Sequence, residues 1–457
     1  MSNTISEKPT FHKSLKIILF PTNAQKELLN KTFGCCRQIY NNRIQERTEF
    51  YIDNVLAIPK EERKEKSKEV WKQFKPSTEK EMAQKFPYMK EVSSSALQQA
   101  RMNCERAYKN FYDSLKGKRK GQKVGKPKFK SKKENRQSYR EPQPKMQHFD
   151  FDHRTLKIPK VGKLKFKSRC LPKWFSFISD ICNITIEKSA ANRYYASILF
   201  ELERDFKIKV ENRKDAIGLD YDCDDCYIDS NGQSALKDFG FVKQKQKAHK
   251  RLRKLQRGKE RKLQIQDTNS PKKINSRNRE KARIKLAKFE EKISNRRKDW
   301  IEKETLRLVK SYNKVVVEDL NIKGMMHFSK NAKNYVDISW STFVSKLQEK
   351  GKTYNCEVVK ADRYFASSQT CSSCGFKFPD VQKLHLQYWT CPGCGTTHQR
   401  DVNAAINLKN YIPVERRKST TVESEYVKNL ATLALLNSAD EETVIQKVTT
   451  GKRQIGF

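Results

Sequence analysis

The 457-residue chain has no run of 18 apolar residues, so it offers no helix that would span a bilayer. Its longest early apolar run, Leu15 to Phe20, is shorter than the core of a secretion signal, and Pro21 ends it. Acidic residues are scarce: 53 Asp and Glu stand against 96 Lys and Arg, a formal net charge of +43. An excess of that size is a statement about partners, and the partner it points to is a phosphate polymer. Hydrophobic residues reach only 36 %, low for a large soluble protein, yet 10 % aromatics argue against a chain that is disordered throughout. Twelve cysteines in a chain without a secretion signal argue for reduced thiols or metal rather than disulfides. No internal repeat is present. The expectation is a nucleic-acid-binding protein of about three domains, neither secreted, membrane-spanning nor collagen-like.

Local patterns divide the chain. Ser14 to Phe20 reads as a strand. Thr22 and Gln25 form a capping box, after which Leu28, Phe33, Ile39 and Ile44 recur at helical spacing. Residues 50 to 90 are polar, with Trp71 and Phe74 as sparse anchors, and read as helical with no marked ends. A second helix starts at a Ser93–Ser95 cap and runs through Leu97, Cys104, Tyr108 and Leu115. Lys116 to Arg140 holds 12 basic residues and one acid, with Gly117, Gly121, Gly125 and Pro127, and reads as a loop. Such a run is either a solvated face or, since Phe129 and Tyr139 interleave with the charges, a place where bases stack. Residues 155 to 203 read as a small β module with a hairpin around Asn192. Ala216–Asp220 and Val315–Glu318 are short apolar strands that end in an acid, and Asn355–Lys360 reads as a third strand. Between them, residues 241 to 300 carry 23 Lys or Arg against 6 acids and read as a helical hairpin broken at Ser270–Pro271. Ala404–Leu408 lies on a helix after Asp401. The last 47 residues are nearly neutral and read as a loosely attached tail with a short helix near 431–436.

Two constellations carry chemistry. Cys371-Ser-Ser-Cys374 and Cys391-Pro-Gly-Cys394 lie 16 residues apart, the spacing of a four-thiolate zinc site. Gly375 and Gly395 after each pair permit the turn, and Trp389 and Phe376 are candidates to cover it. A closed four-thiolate site is structural rather than catalytic. His398 is an alternative ligand, and a further pair, Cys223 and Cys226, reads as half-buried thiols. The second constellation is Asp220, Glu318 and Asp401. A carboxylate at the end of a buried strand is costly unless paired or metal-bound. Three gathered together would repel, and divalent ions resolve the repulsion while holding the oxygens of a phosphodiester; magnesium suits an all-oxygen site.

Together these residues resemble the RuvC nuclease domain of the TnpB family, transposon-encoded RNA-guided DNA endonucleases related to type V CRISPR effectors. Ile217-Gly-Leu-Asp220, Val315-Val-Val-Glu-Asp-Leu-Asn-Ile-Lys-Gly-Met325 and His398-Gln-Arg-Asp-Val-Asn-Ala-Ala-Ile-Asn407 resemble its three RuvC motifs. Ser367-Ser-Gln-Thr-Cys-Ser-Ser-Cys-Gly375 and Tyr388-Trp-Thr-Cys-Pro-Gly-Cys-Gly395 resemble its zinc ribbon. Phe20-Pro-Thr-Asn-Ala-Gln25, Gly34-Cys-Cys-Arg-Gln-Ile-Tyr-Asn41 and Lys123-Val-Gly-Lys-Pro-Lys-Phe-Lys130 resemble its N-terminal motif and basic loop. The resemblance covers about residues 12 to 410. Two departures are Asp222, where the family usually has Gly, and Gln399, where an acid is usual.

The resemblance implies an α+β multidomain protein. Its parts would be an RNase H-like (RuvC) nuclease domain with an inserted zinc ribbon, a helical recognition domain and a small β-barrel-like wedge module. The implied boundaries are 1–21 with 141–210 for the wedge, 22–140 for recognition, 211–410 for the nuclease (241–312 a lid, 366–398 the ribbon) and 411–457 for the tail. It implies Asp220, Glu318 and Asp401 as catalytic, magnesium-holding acids and Cys371, Cys374, Cys391 and Cys394 as zinc ligands. Ser94 and Gln98 fall where the family reads a short flanking DNA motif, and an amide can bond an adenine edge. Lys123, Lys126, Lys128, Lys130 and Arg400 are candidate backbone contacts. The implied partners are a guide RNA and double-stranded target DNA, with one protein chain per RNA and no membrane, in the cytoplasm of a prokaryote near the nucleoid. The alternative is an RNA-guided repressor with little or no cleavage; a transposase and a structural RNA binder are weaker readings.

Overall fold

The computed structural model describes residues 11–413, except 120, 133–135, 143, 169–170, 223–224, 236–241, 266–276, 323, 326–338 and 384–385. The expected helix near 431–436, the tail from 414, the break at Ser270–Pro271 and Cys223 lie outside the described residues. Two compact units divide the chain: residues to 206 with 240–296, and 207–239 with those from 297 onward.

In the first unit, β1 (Phe11–Phe20) alternates side chains between solvent and core, so Ile17 and Leu19 are buried while Lys16 is not. The strand is longer than the apolar run because its outward positions are free to be polar. The Thr22 cap is a full reciprocal box: its hydroxyl accepts from the Gln25 backbone N–H at 3.3 Å, and Gln25 Oε1 accepts from the Thr22 N–H at 3.0 Å. It opens α1 (Asn23–Phe50), which buries Leu29, Phe33, Cys36, Ile39, Tyr40 and Ile44. Two short helices follow, α2 (Arg63–Lys72) and α3 (Glu79–Lys85), and Trp71 and Phe74 meet Phe50 at 5.2 and 5.0 Å. The helix α4 (Ser94–Leu115) starts at the expected Ser93 cap.

Of these helices, α1, α3 and α4 share a core with a seven-stranded antiparallel sheet. Its remaining strands are β2 (Gln137–Pro142), β3 (Phe149–Asp150), β4 (Thr155–Ile158), β5 (Gly162–Lys167), β6 (Ile178–Lys188) and β7 (Tyr194–Leu202), in the order β2-β6-β7-β1-β5-β4-β3. The β6–β7 hairpin turns at Asn192, whose φ is +58°. The expectation for Tyr139 is corrected: it lies on β2, buried and edge-on to Phe33 at 5.4 Å, and is no platform for bases. Phe129 is exposed. The basic α5 (Val242–Ile265) and the first part of α6 (Arg277–Ser311) belong to this unit. There Glu291 accepts from Tyr195 and faces Arg193 at 3.6 Å.

The second unit is built on β8 (Lys214–Asp222), which pairs antiparallel with β9 (Cys226–Asp229) and parallel with β10 (Tyr312–Val317). Next to β10 lies β11 (Glu357–Lys360), also parallel, giving the order β11-β10-β8-β9. A central first strand with a hairpin partner on one side and two parallel strands on the other is the RNase H-like arrangement. Both faces are covered, which is why these strands read as continuous apolar runs. Val315 and Val317 face α7 (Trp340–Tyr354), where Phe343 and Leu347 are fully buried. Val316 faces the other way, with Leu408 of α9 (Arg400–Lys409) and Tyr411. The third strand is shorter than expected because Asn355, left-handed at φ +53°, ends α7. Cys226 is buried in this core.

Candidate active site

The period of two in a strand places Gly218 and Asp220 on one face of β8, and Val316 and Glu318 on one face of β10 and its end. That face receives α9. At Gly218 the approach is so close that a Cβ would stand 2.0 Å from the Ala405 carbonyl oxygen and 2.4 Å from the Lys409 nitrogen. Only glycine lets the helix settle there. Its first turn carries Asp401, so the seam at Gly218 brings the third acid to the ends of the two strands.

The charge of Asp401 reaches both of the other carboxylates. Burial, reinforced by the charges of Glu318 and Asp401, holds the Asp220 carboxyl well above the usual range. Burial also raises Glu318, opposed by the Ser367 hydroxyl, which donates to Glu318 Oε1 at 3.1 Å. Asp401 accepts from Arg400 Nε at 2.8 Å and from Gln387 Nε2 at 3.2 Å. Asp222 does not crowd this group through its Oδ2, which accepts the Asp225 backbone N–H at 2.7 Å in the β8–β9 turn. Gln399 precedes α9 without a side-chain cap. Motif reading assigned no role to Ser367, Gln387 or Gly218. A hydroxyl and an amide that reach an acid across tens of residues leave no local signal.

The cysteine pairs close as expected. Among the described residues, Cys371, Cys374, Cys391 and Cys394 are the set whose possible ligand atoms all lie within 4.8 Å of one another. Gly375 and Gly395 adopt φ of +78° and +71°, and each donates its N–H to the first cysteine carbonyl of its pair at 2.9 Å. His398 stands with Nε2 3.0 Å from Cys371 Sγ, beside rather than within the set, and Trp389 packs on it at 5.0 Å. Phe376 covers less than expected: it is 44 % exposed, with one side of its ring against Gly393. The ribbon contains α8 (Asp380–Lys383) and the pair β12 (Tyr388–Thr390) and β13 (Thr397–Gln399). It is rooted on α9: Asn403 bonds Ser372 N and Thr370 O at 2.9 and 2.7 Å, and Asn407 bonds Ser367 O at 2.8 Å.

In the first unit, Ser94 and Gln98 are exposed one turn apart on α4. They line a groove of about 460 Å³ with Lys80, Lys90 and Lys160. Their neighbours Ser93 and Ser95 turn inward and donate to buried Glu141 at 3.1 and 2.7 Å. Lys123, Lys126, Lys128 and Lys130 are exposed. Their loop is pinned by Asn41, which exchanges two hydrogen bonds with the Lys130 backbone at 2.8 and 2.9 Å.

Comparison with known proteins adds three successive family matches. Residues 11–54 match a "Helix-turn-helix domain", 197–329 a "Probable transposase" of the OrfB/IS605 type, and 340–408 a "Cas12f1-like, TNB domain". A Streptomyces pristinaespiralis protein named "Putative RNA-guided DNA endonuclease" is 29 % identical over 401 residues, 87 % of this chain and 88 % of its own. InsQ of Escherichia coli K12, with the same description, is 25 % identical over 87 % of this chain and 91 % of its own. A mimivirus "TnpB-like protein", L79, is 28 % identical over 141 residues, 30 % of this chain and 26 % of its own. The chain is similar to TnpB-type proteins over most of its length. In this chain the segment matched as helix-turn-helix is a strand followed by a 28-residue helix that runs on into a π-helical turn from Tyr51. A solved Cas12f1–sgRNA–target DNA complex aligns with 88 % of this chain and 99 % of its own at 13 % identity, with a TM-score of 0.46.

Proposed function

We propose that this protein is an RNA-guided DNA endonuclease whose cutting centre is Asp220, Glu318 and Asp401. The observation that carries the reading is that β8, the end of β10 and the first turn of α9 bring three carboxyls to one face of an RNase H-like sheet, where burial raises those of Asp220 and Glu318. Like charges in a half-buried place cost stability unless a cation or a substrate uses them. The donors are all oxygens, which fits magnesium. Asp220, Glu318 and Asp401 would hold it, and when bound it would neutralise charge developing on the attacking and leaving oxygens of a phosphodiester. The chain's own part is positional. Ser367 fixes the Glu318 carboxylate, Arg400 and Gln387 fix Asp401, and Gly218 sets the depth of α9.

The four thiols match zinc in kind and number, and a closed four-sulfur site would hold the ribbon rather than cut. Sequence specificity would come from base pairing with a guide RNA, the protein holding the heteroduplex by its backbone. The groove with Ser94 and Gln98 would read the flanking duplex motif, and Lys123, Lys126, Lys128 and Lys130 would neutralise phosphates. One chain per RNA acting at the prokaryotic nucleoid completes the proposal. A repressor of this family would keep the guide and dispense with the acids, and all three are here.

The test is plasmid cleavage by protein purified with the RNA made from its own locus, in magnesium. Wild type is expected to cut a matched target with its flanking motif, and Asp220→Ala to bind that target and leave it whole. A wild-type complex that binds matched target and never cuts it would overturn the endonuclease reading.

A further inference from the structure

Two tyrosines near the carboxylates are turned to solvent: Tyr364 is 89 % exposed and Tyr388 is 67 % exposed. In each case the next residue supplies the ring that folding needs. Phe365 packs edge-on against Tyr411 at 4.9 Å, and Trp389 is buried between Phe378 and His398 at 5.9 and 5.0 Å. The exposed rings are therefore not required by the core beside them.

Their backbones are nevertheless held, and their sequence neighbours reach the acids. The Tyr364 N–H donates to Asp362 Oδ1 at 2.9 Å. Arg363 before it donates to Asp319 Oδ2 at 3.0 Å, and Asp319 directly follows Glu318. Ser367, three residues on, donates to Glu318 itself. On the other side, Tyr388 pairs with Gln399 in the ribbon ladder. Its neighbour Gln387 donates to Asp401 Oδ2 and accepts the Arg400 N–H at 2.8 Å. One exposed ring thus sits on the segment that grips Glu318, and the other on the segment that grips Asp401.

We propose that Tyr364 and Tyr388 form a base-stacking platform for single-stranded DNA beside the carboxylate site. An aromatic face in water gains most from another flat face, and every nucleobase offers one. Bases in a duplex have both faces covered by their neighbours, so the platform takes an unpaired strand. Nucleic acid is favoured over protein as the occupant by the +43 charge and by Lys360, Arg363 and Arg400 around the two segments. Stacking also explains how one site accepts any target, because it is indifferent to sequence.

The inference rests on the endonuclease reading, and the experiment separates the two. The probe is matched target DNA with 2-aminopurine at successive positions of either strand, bound by the full chain with its RNA in an Asp220→Asn background. Quenching by stacking is expected at positions next to the cut and is expected to vanish in the Tyr364→Ala, Tyr388→Ala double variant. With Asp220 restored, the double variant should cut about ten-fold or more slowly while target affinity holds. Tyr→Phe at both positions should return the quench and the rate, since the ring is used and the hydroxyl is not. Unchanged quenching and rate in the double Ala variant, or a Phe variant as poor as Ala, overturns the platform. If wild type never cuts but the quench still depends on the tyrosines, the platform stands and the endonuclease reading falls.

Discussion

Asp220 and Glu318 are carboxyls raised by burial and by like charge, so at neutral pH their ionised forms weigh against the fold. The sign follows from the direction of the shift. A carboxyl that folding raises adds stability below its unfolded value and loses it as pH climbs through the folded one. Asp220→Asn is therefore expected to melt a few degrees higher than wild type without divalent cation at pH 7 to 8, by calorimetry. Magnesium or manganese should raise the melting temperature of wild type and do less for the variant, because only a ligand of the native state stabilises it. Cleavage should rise with pH, with its acidic limb displaced above the ordinary carboxylate range. The supporting contacts make a separate prediction. Ser367→Ala and Gln387→Ala should each lower activity about 10- to 100-fold with target affinity retained, measured by single-turnover cleavage. At this scale the acids themselves could be picked out, because β8 and β10 each run into one. Ser367 and Gln387 could not, because nothing in a polar residue's own neighbourhood announces a partner 49 or 14 positions away.

Among elements, α9 decides most. It covers one face of the sheet, carries Asp401 and roots the ribbon through Asn403 and Asn407. Its seat at Gly218 has no room for a carbon. Gly218→Ala should force the helix outward, cost about 1–3 kcal/mol or more as overpacking does, and abolish cleavage while the first unit still melts normally. The readouts are calorimetry and the plasmid assay. Helix starts were legible at the Thr22 and Ser93 caps, because the signal is local, while the equally local Thr78 box that opens α3 lay in a stretch too polar to mark a start. The role of Tyr139 was not. Alternation of rings and charges looks the same in a loop as in a strand with one buried face, and only the pairing of β2 with β6 chooses between them.

For the whole molecule, the sign and size of the charge were plain from composition, and they belong to the complex rather than to the fold. Affinity for guide RNA and for target should fall steeply and linearly with salt on logarithmic axes, as counterion release requires, by titration at several ionic strengths. The RNase H-like core and the ribbon were legible because their motifs are short and keep their order. The seven-stranded sheet was only partly so: its order joins β1 to β7 and to β5 across much of the first unit, and such pairings leave no mark on either strand alone. The rooting of the ribbon bears on any attempt to shorten this protein. Excising the cysteine segment would strand the amides of Asn403 and Asn407, which hold Thr370 and the Ser367 backbone, and would slacken the hydroxyl set against Glu318. A smaller version of this protein must be carved from elsewhere in the chain.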